Sequence, residues 1–231
     1  MKKTKLGIVG CGGMARSHAS RFNEVLDRVE VAAVVDIQRE RAQAVADLLA
    51  NDPLVETDYR QVLDQVEAVL VVLPHHLHHP VTMACLQAGK HVLVEKPMAN
   101  TEAQCIEMIE AAQKRNLVLM VAYCMRFHPL VVKMKELLDA RAYGDLFQLS
   151  IWTEQLTRPE DGHWQQKKET LGGGQFFSHG CHYIDLLLWM AGRPIQGSHV
   201  GTTRGTPWME GEGTSNVTLE FEDGILGYHF G

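Results

Sequence analysis

Long apolar runs are missing from this chain, and no stretch approaches the about 20 residues that a bilayer-spanning helix needs. A membrane-spanning role is therefore not expected. The opening Met-Lys-Lys-Thr-Lys and the following Leu-Gly-Ile-Val superficially resemble a signal peptide, but the apolar run is short and broken by glycine, which argues against one. Surplus positive charge is missing too. The 22 Lys and Arg against 28 Asp and Glu leave a formal charge of −6, with no basic run, so nucleic acid is not an expected partner. Cysteine is sparse: Cys11, Cys85, Cys105, Cys124 and Cys181 are odd in number, scattered, and never in C-x-x-C pairs. That pattern fits a reducing cytoplasm, with the thiols as small core residues. Internal repeats and low-complexity segments are absent.

What is present is ordinary globular material. The 231 residues, 45% hydrophobic and 22% charged, suffice for one large domain or two small ones. The most informative stretch lies near the start. Lys5-Leu-Gly-Ile-Val-Gly10-Cys-Gly12-Gly13-Met14-Ala15 reads as a short apolar strand running into G-x-G-x-x-A. Each position has a physical task. Gly10 permits a tight turn, Gly12 lets a pyrophosphate approach the backbone, and Ala15 is small enough for helix to pack on strand. The helix that follows points free N–H groups and a positive dipole end at the phosphates. A second strand, Val31 to Val35, ends in Asp36, whose carboxylate suits ribose hydroxyls and repels a 2′-phosphate. NAD is thus favoured over NADP, tempered by Arg39, which can stack on adenine or attract a phosphate. The alternative is that Asp36 merely caps the helix starting near Gln38.

Strand-like and helix-like runs alternate through the first half. The pattern predicts helices over Arg39 to Ala50, Pro80 to Ala88 (stopped by Gly89) and, behind the capping box Thr101-Glu-Ala-Gln104, up to Arg115, with a short helical turn at Tyr59 to Leu63. Strands are predicted over Ala68 to Leu73, His91 to Val94 and Val118 to Ala122. Unbroken apolar strands between amphipathic helices argue for a parallel sheet covered on both faces. After about Tyr123 the texture changes. A helix from Pro129 to Ala140, long alternating strands at Leu146 to Gln155 and Val217 to Phe221, a polar loop from Arg158 to Gly174 and a helix from Phe176 to Ala191 suggest a second, α+β domain with a largely antiparallel open sheet. Asp223-Gly224 signals a hairpin. The expected division is residues 1–123 and 124–231. Ile225 to Phe230 reads as a second hairpin arm at the end of the chain, so the second domain is expected to be incomplete.

Three further segments complete a pattern: Leu73-Pro74-His75-His-Leu-His78-His79, Val94-Glu95-Lys96-Pro97, and Gly172 through Ser178, His179 and His182 to Asp185. With the glycine turn they closely resemble the glucose–fructose oxidoreductase / inositol dehydrogenase (Gfo/Idh/MocA) family over essentially the whole chain. The resemblance implies a Rossmann domain followed by an α+β domain whose open sheet forms oligomer contacts. It also implies a tightly held NAD or NADP and a sugar, inositol or related polyol as substrate, and so an NAD-dependent dehydrogenase acting on a secondary alcohol. A glycosidase working by transient oxidation and a non-enzymatic dinucleotide-binding sensor are the alternatives within the family.

Lys96 follows a buried strand and so sits at the carboxyl edge of the sheet, where ligands bind in open α/β folds. A lysine there can donate to a substrate hydroxyl or, once deprotonated, accept its proton. The resemblance assigns Lys96 this role and implies a cis Lys96–Pro97 bond. It makes His182 the second proton-transfer group, helped by His179, and places Ser178, His179 and His182 with Lys96 as substrate-binding residues. Members often carry aspartate where this chain has Ser178, which cannot act as a carboxylate base. Asp185 is expected to orient His182 or to cap its helix. The cofactor set implied is Gly10, Gly12, Gly13, Met14, Asp36, Arg39, Leu73, Pro74, His75, His78, Glu95, Lys96 and Arg126, the last from a segment that the family has at its domain junction. No metal is expected: the four neighbouring histidines point in different directions from a tight turn, and no cysteine or carboxylate set joins them. Trp152, Trp164, Trp189 and Trp208 suit a sugar pocket or a core.

Overall fold

In the computed structural model, which describes residues 2–231, the chain forms two units, residues 2–122 and 123–231. The first unit runs β1 (Thr4–Val9), α1 (Gly13–Phe22), β2 (Val29–Val35), α2 (Arg39–Ala46), β3 (Leu54–Glu56), β4 (Ala68–Val71), α3 (His78–Gln87), β5 (His91–Val94), α4 (Glu102–Lys114) and β6 (Leu119–Val121). Its six strands are all parallel in the order β3-β2-β1-β4-β5-β6. This is the doubly wound arrangement, and the strand order reverses between β1 and β4. Apolar groups cover both faces. Leu6, Ile8, Val31 and Val34 pack with Ala15 and Ala19 of α1 and Ala42 and Val45 of α2. Val9, Val35, Val69, Val71, Val92 and Val94 pack with Cys85 and Leu86 of α3 and Met108 and Ala112 of α4. Alanine on α1 and α2 lets those helices lie close to the sheet, and each buried Val or Leu contributes about 1.5–3 kcal/mol. Thr101 caps α4 by accepting the Gln104 N–H at 3.3 Å, and Gly89, at φ +75°, ends α3.

In the second unit come α5 (Pro129–Asp139), β7 (Gln148–Trp152), α6 (Lys168–Leu171), a π-helical turn (Phe176–Gly180) continuing into α7 (Cys181–Ala191), β8 (Pro194–Thr202), β9 (Thr214–Phe221) and β10 (Leu226–Phe230). The sheet order is β7-β10-β9-β8. Asp223-Gly224 makes the β9–β10 hairpin, with Gly224 at φ +75°. The sheet is largely antiparallel as expected, β8 with β9 and β9 with β10, and only β7 lies parallel to its neighbour β10. A strand separated from its neighbour by an intervening helix can pair in either direction, and no local signal records which. Two strands escape the sequence pattern. β3 has only three residues, and every residue of β8 is exposed, so Pro-Ile-Gln-Gly-Ser-His-Val-Gly-Thr shows no apolar alternation. The Arg158–Gly174 stretch, read as loop, contains α6. No helix among the described residues is long and apolar enough to cross a membrane.

Two buried histidines give this fold a pH dependence. His78 and His229 are both 0% exposed. Burial pushes His78 down against the opposing pull of two backbone carbonyls, and burial followed by the charge of His179 pushes His229 down. Each therefore takes up a proton less readily when folded than in the unfolded chain, where an imidazole protonates near pH 6.5. Above that value neither contributes a slope. Below it the unfolded state binds the extra protons, and stability falls by up to about 1.4 kcal/mol per pH unit for each histidine. Thermal unfolding between pH 7.5 and 5.5 is expected to show a midpoint that is flat and then declines, and H229Q should flatten part of the decline.

Candidate active site

The carboxyl edge of the first unit's sheet gathers four strand ends. β1 delivers the glycine turn, β2 delivers Asp36, β4 delivers Leu73-Pro74-His75, and β5 delivers Glu95-Lys96-Pro97. Register does this: Val9, Val35, Val71 and Val94 are linked by pairing across β2-β1-β4-β5, so the residues after them leave the sheet on one edge.

Gly10 takes φ +94°, and a Cβ there would lie 2.1 Å from the Val72 carbonyl oxygen. Only glycine fits. Gly12 and Gly13 face open space, with no atom within 4 Å of where a Cβ would be, and Gly12 gives α1 no side-chain cap. The helix thus begins with uncapped N–H groups beside a side-chain-free stretch, the features a pyrophosphate needs. Asp36 accepts the Cys11 N–H through Oδ2 and the Gln38 N–H through Oδ1, each at 2.9 Å. Its carboxylate braces the glycine turn and also receives the first N–H of the segment entering α2. Burial, and then the Asp36 charge, push the Cys11 thiol up to about 12. Met14 and Arg39 are exposed. These residues fit a dinucleotide: a helix N-terminus for phosphate and a fixed carboxylate for ribose.

Around β4 and β5 the side chains are tightly tied. His75 is buried. His78 has Nδ1 2.7 Å from the Pro97 carbonyl and Nε2 2.8 Å from the Leu73 carbonyl. Both nitrogens face backbone, so His78 joins the Leu73 and Pro97 loops from beneath and offers no polar atom to a cofactor. His79 pairs with Glu107 at 2.8 Å. No group of three His, Cys, Asp or Glu among the described residues is placed to hold a metal. The Lys96–Pro97 bond is cis. Glu95 is 7% exposed, accepts from His18 Nε2 at 2.7 Å and accepts the Lys96 N–H at 3.1 Å. Burial raises its pKa, but the His18 hydrogen bond and charge, then Lys96, outweigh that and hold it below the ordinary value. His18 was not among the expected site residues.

In the second unit Ser178 and His179 lie in the π-helical turn and His182 in the first turn of α7. The His179 and His182 rings meet edge-on with centroids 6.2 Å apart, and Tyr123 meets His182 at the same distance. Tyr183 stacks on His229 at 5.3 Å. No side chain caps α7, Asp185 included. Asp185 takes a two-pronged ion pair from Arg126, Nε to Oδ2 at 2.7 Å and Nη2 to Oδ1 at 2.6 Å, while the guanidinium lies over Trp189. Two of the three Arg126 guanidinium nitrogens, Nε and Nη2, are thereby engaged within its own unit. Trp152 is 73% exposed on the sheet.

Residues 4–123 match the family model described as "Oxidoreductase family, NAD-binding Rossmann fold", and residues 131–230 match that of the GFO/IDH/MocA C-terminal domain. The chain belongs to the Gfo/Idh/MocA family. Among Gfo/Idh/MocA relatives, the inositol 2-dehydrogenase 2 of Saccharopolyspora erythraea is 30% identical over 230 residues, covering 96% of this chain and 64% of the relative. The inositol 2-dehydrogenase of Salmonella typhimurium is 31% identical over 231 residues, covering 94% and 66%. The WlbA dehydrogenase of Bordetella pertussis, solved with NADH and UDP-GlcNAcA, superposes with a TM-score of 0.89 at 26% identity, covering 99% of this chain and 70% of that one. The chain spans just under two thirds of the length of those two inositol dehydrogenases.

Proposed function

We propose that this Gfo/Idh/MocA chain is an NAD-dependent dehydrogenase oxidising a secondary alcohol of an inositol, sugar or related polyol. The observation that carries the reading is the shared sheet edge, which presents the glycine turn, Asp36 and Lys96 together. The inositol dehydrogenase relatives support the substrate class. Bound NAD supplies a hydride acceptor for the alcohol carbon. Lys96 takes the hydroxyl proton as the carbonyl forms, and His182, in the second unit, is proposed as its partner in proton exchange on the strength of the family pattern. The uncovered sheet face bearing Trp152, Val200 and Leu226 supports association between copies. The test is NADH formation from NAD with myo-inositol, glucose and a panel of other polyols. Steady NADH release supports the dehydrogenase. Turnover with NADH retained favours the glycosidase alternative, and NAD binding without turnover of any polyol or glycoside favours the sensor.

Asp36 carries the cofactor preference in this reading. D36S removes the charge that repels a 2′-phosphate and leaves Arg39 nearby to attract one. The ratio of NAD to NADP affinity is expected to fall by about tenfold or more, a differential of about 1.4 kcal/mol. Fluorescence titration with the two reduced cofactors checks it, and an unchanged ratio would remove Asp36 from the argument.

A further inference from the structure

Glu95 holds two elements at once. One oxygen receives His18 Nε2 of α1 and the other receives the Lys96 backbone N–H. Its own N–H donates to the Val71 carbonyl at 2.9 Å, so the peptide before Lys96 is pinned to β4 as well. An ionised carboxylate only accepts, so the proton in the 2.7 Å contact sits on His18 Nε2. His18 side-chain exposure is 19% and that of Glu95 is 9%, which keeps water from competing strongly for the contact. His18 lies on the helix whose N-terminus faces the proposed pyrophosphate position.

We propose that His18 and Glu95 are positioning residues for Lys96, tying the peptide that carries it to the cofactor-binding helix so that cofactor seating and proton-transfer geometry are set together. The inference rests on the reading of Lys96 as the proton-transfer group. A buried carboxylate that loses its donor must find water or shift, and the Lys96 amide moves with it. A displacement of 1 Å in a catalytic group can cost about 100-fold in rate.

The test compares wild type with H18Q, whose amide nitrogen can stand in for Nε2, and H18L, which has no donor; E95Q replaces H18L should that variant not fold. Three readouts are taken: hydrogen exchange of the Lys96 amide by NMR, NAD affinity by fluorescence, and kcat and KM with myo-inositol. In wild type and H18Q the Lys96 amide should be protected and NAD affinity alike. In H18L the Lys96 amide should exchange at least about tenfold faster while the Val71 and Leu93 amides keep their protection, since local openings can be confined to one segment. NAD should bind more weakly, and kcat should fall about 100-fold with KM little changed. An H18Q as impaired as H18L would overturn the proposal. So would a loss of protection spread evenly over β4 and β5, or a Lys96 amide that is unprotected in wild type. A wild type that binds NAD and oxidises no polyol defeats the dehydrogenase reading alone, because amide exchange and NAD affinity still decide the role of the pair.

Discussion

Replacing Lys96 with methionine is expected to lower kcat by about 10²–10⁴-fold, the span that a positioned proton-transfer group supplies. NAD affinity should stay close to wild type, because the phosphate and ribose contacts are assigned to the glycine turn and Asp36, which the substitution does not touch. K96R sharpens the test. Arginine keeps the positive charge and much of the reach, yet it cannot release its proton in a protein. If Lys96 only attracted or oriented the substrate, K96R would recover most of the activity. If it exchanges the hydroxyl proton, K96R should be as poor as K96M. Steady-state kinetics with myo-inositol, beside fluorescence titration of NAD, separates the two. A K96M chain with near wild-type turnover would remove Lys96 from the mechanism.

The second large effect is expected at Gly10. Its φ of +94° is strained for any residue with a side chain, and an added Cβ would meet the Val72 carbonyl oxygen at 2.1 Å and Leu73 Cδ2 at 2.8 Å. The leucine tip can move, but the backbone oxygen belongs to the chain just beyond β4 and cannot move without disturbing the sheet edge. Backbone strain of about 1–3 kcal/mol and a similar overpacking cost place G10A about 2–6 kcal/mol below wild type in stability. Loss of NAD binding should accompany it, because the turn that aims α1 is displaced. G12A is the matched control. Its φ is −78° and nothing lies within 4 Å of the new methyl group, so the thermal midpoint should hold. NAD should nevertheless bind more weakly, since the methyl group occupies the space through which a pyrophosphate approaches the backbone. Equal stability and equal NAD affinity in G12A would contradict the assigned phosphate position.

The contrast between those two glycines shows why the first unit was largely legible in the sequence. The demands of a dinucleotide turn are local, and so are the apolar strands before it and the capping residues after it. Gly10, Asp36, Lys96 and the cis Lys96–Pro97 bond stand where motif and family pattern place them. Interactions between distant segments were not legible. His18 and Glu95 are 77 positions apart, and Arg126 and Asp185 are 59 apart. Neither pair leaves a spacing signal, because what brings each together is the packing of helix on strand or helix on helix. His78 shows the converse. Its place in the motif suggested a cofactor contact, whereas both nitrogens are taken by the Leu73 and Pro97 carbonyls. In the second unit β8 was invisible because a strand exposed along its whole length has no apolar face to betray it, and the direction of β7 against β10 depends on the crossover between them.

The most direct test of the central claim is a titration of the purified chain with NAD and NADP, followed by thermal unfolding and nicotinamide fluorescence. A ligand that binds only the folded state raises the midpoint in proportion to the logarithm of its concentration over Kd. The account predicts that NAD raises the midpoint at concentrations where NADP has little effect. A cooperatively folded chain whose midpoint neither nucleotide moves, or one that NADP stabilises more than NAD, would contradict it.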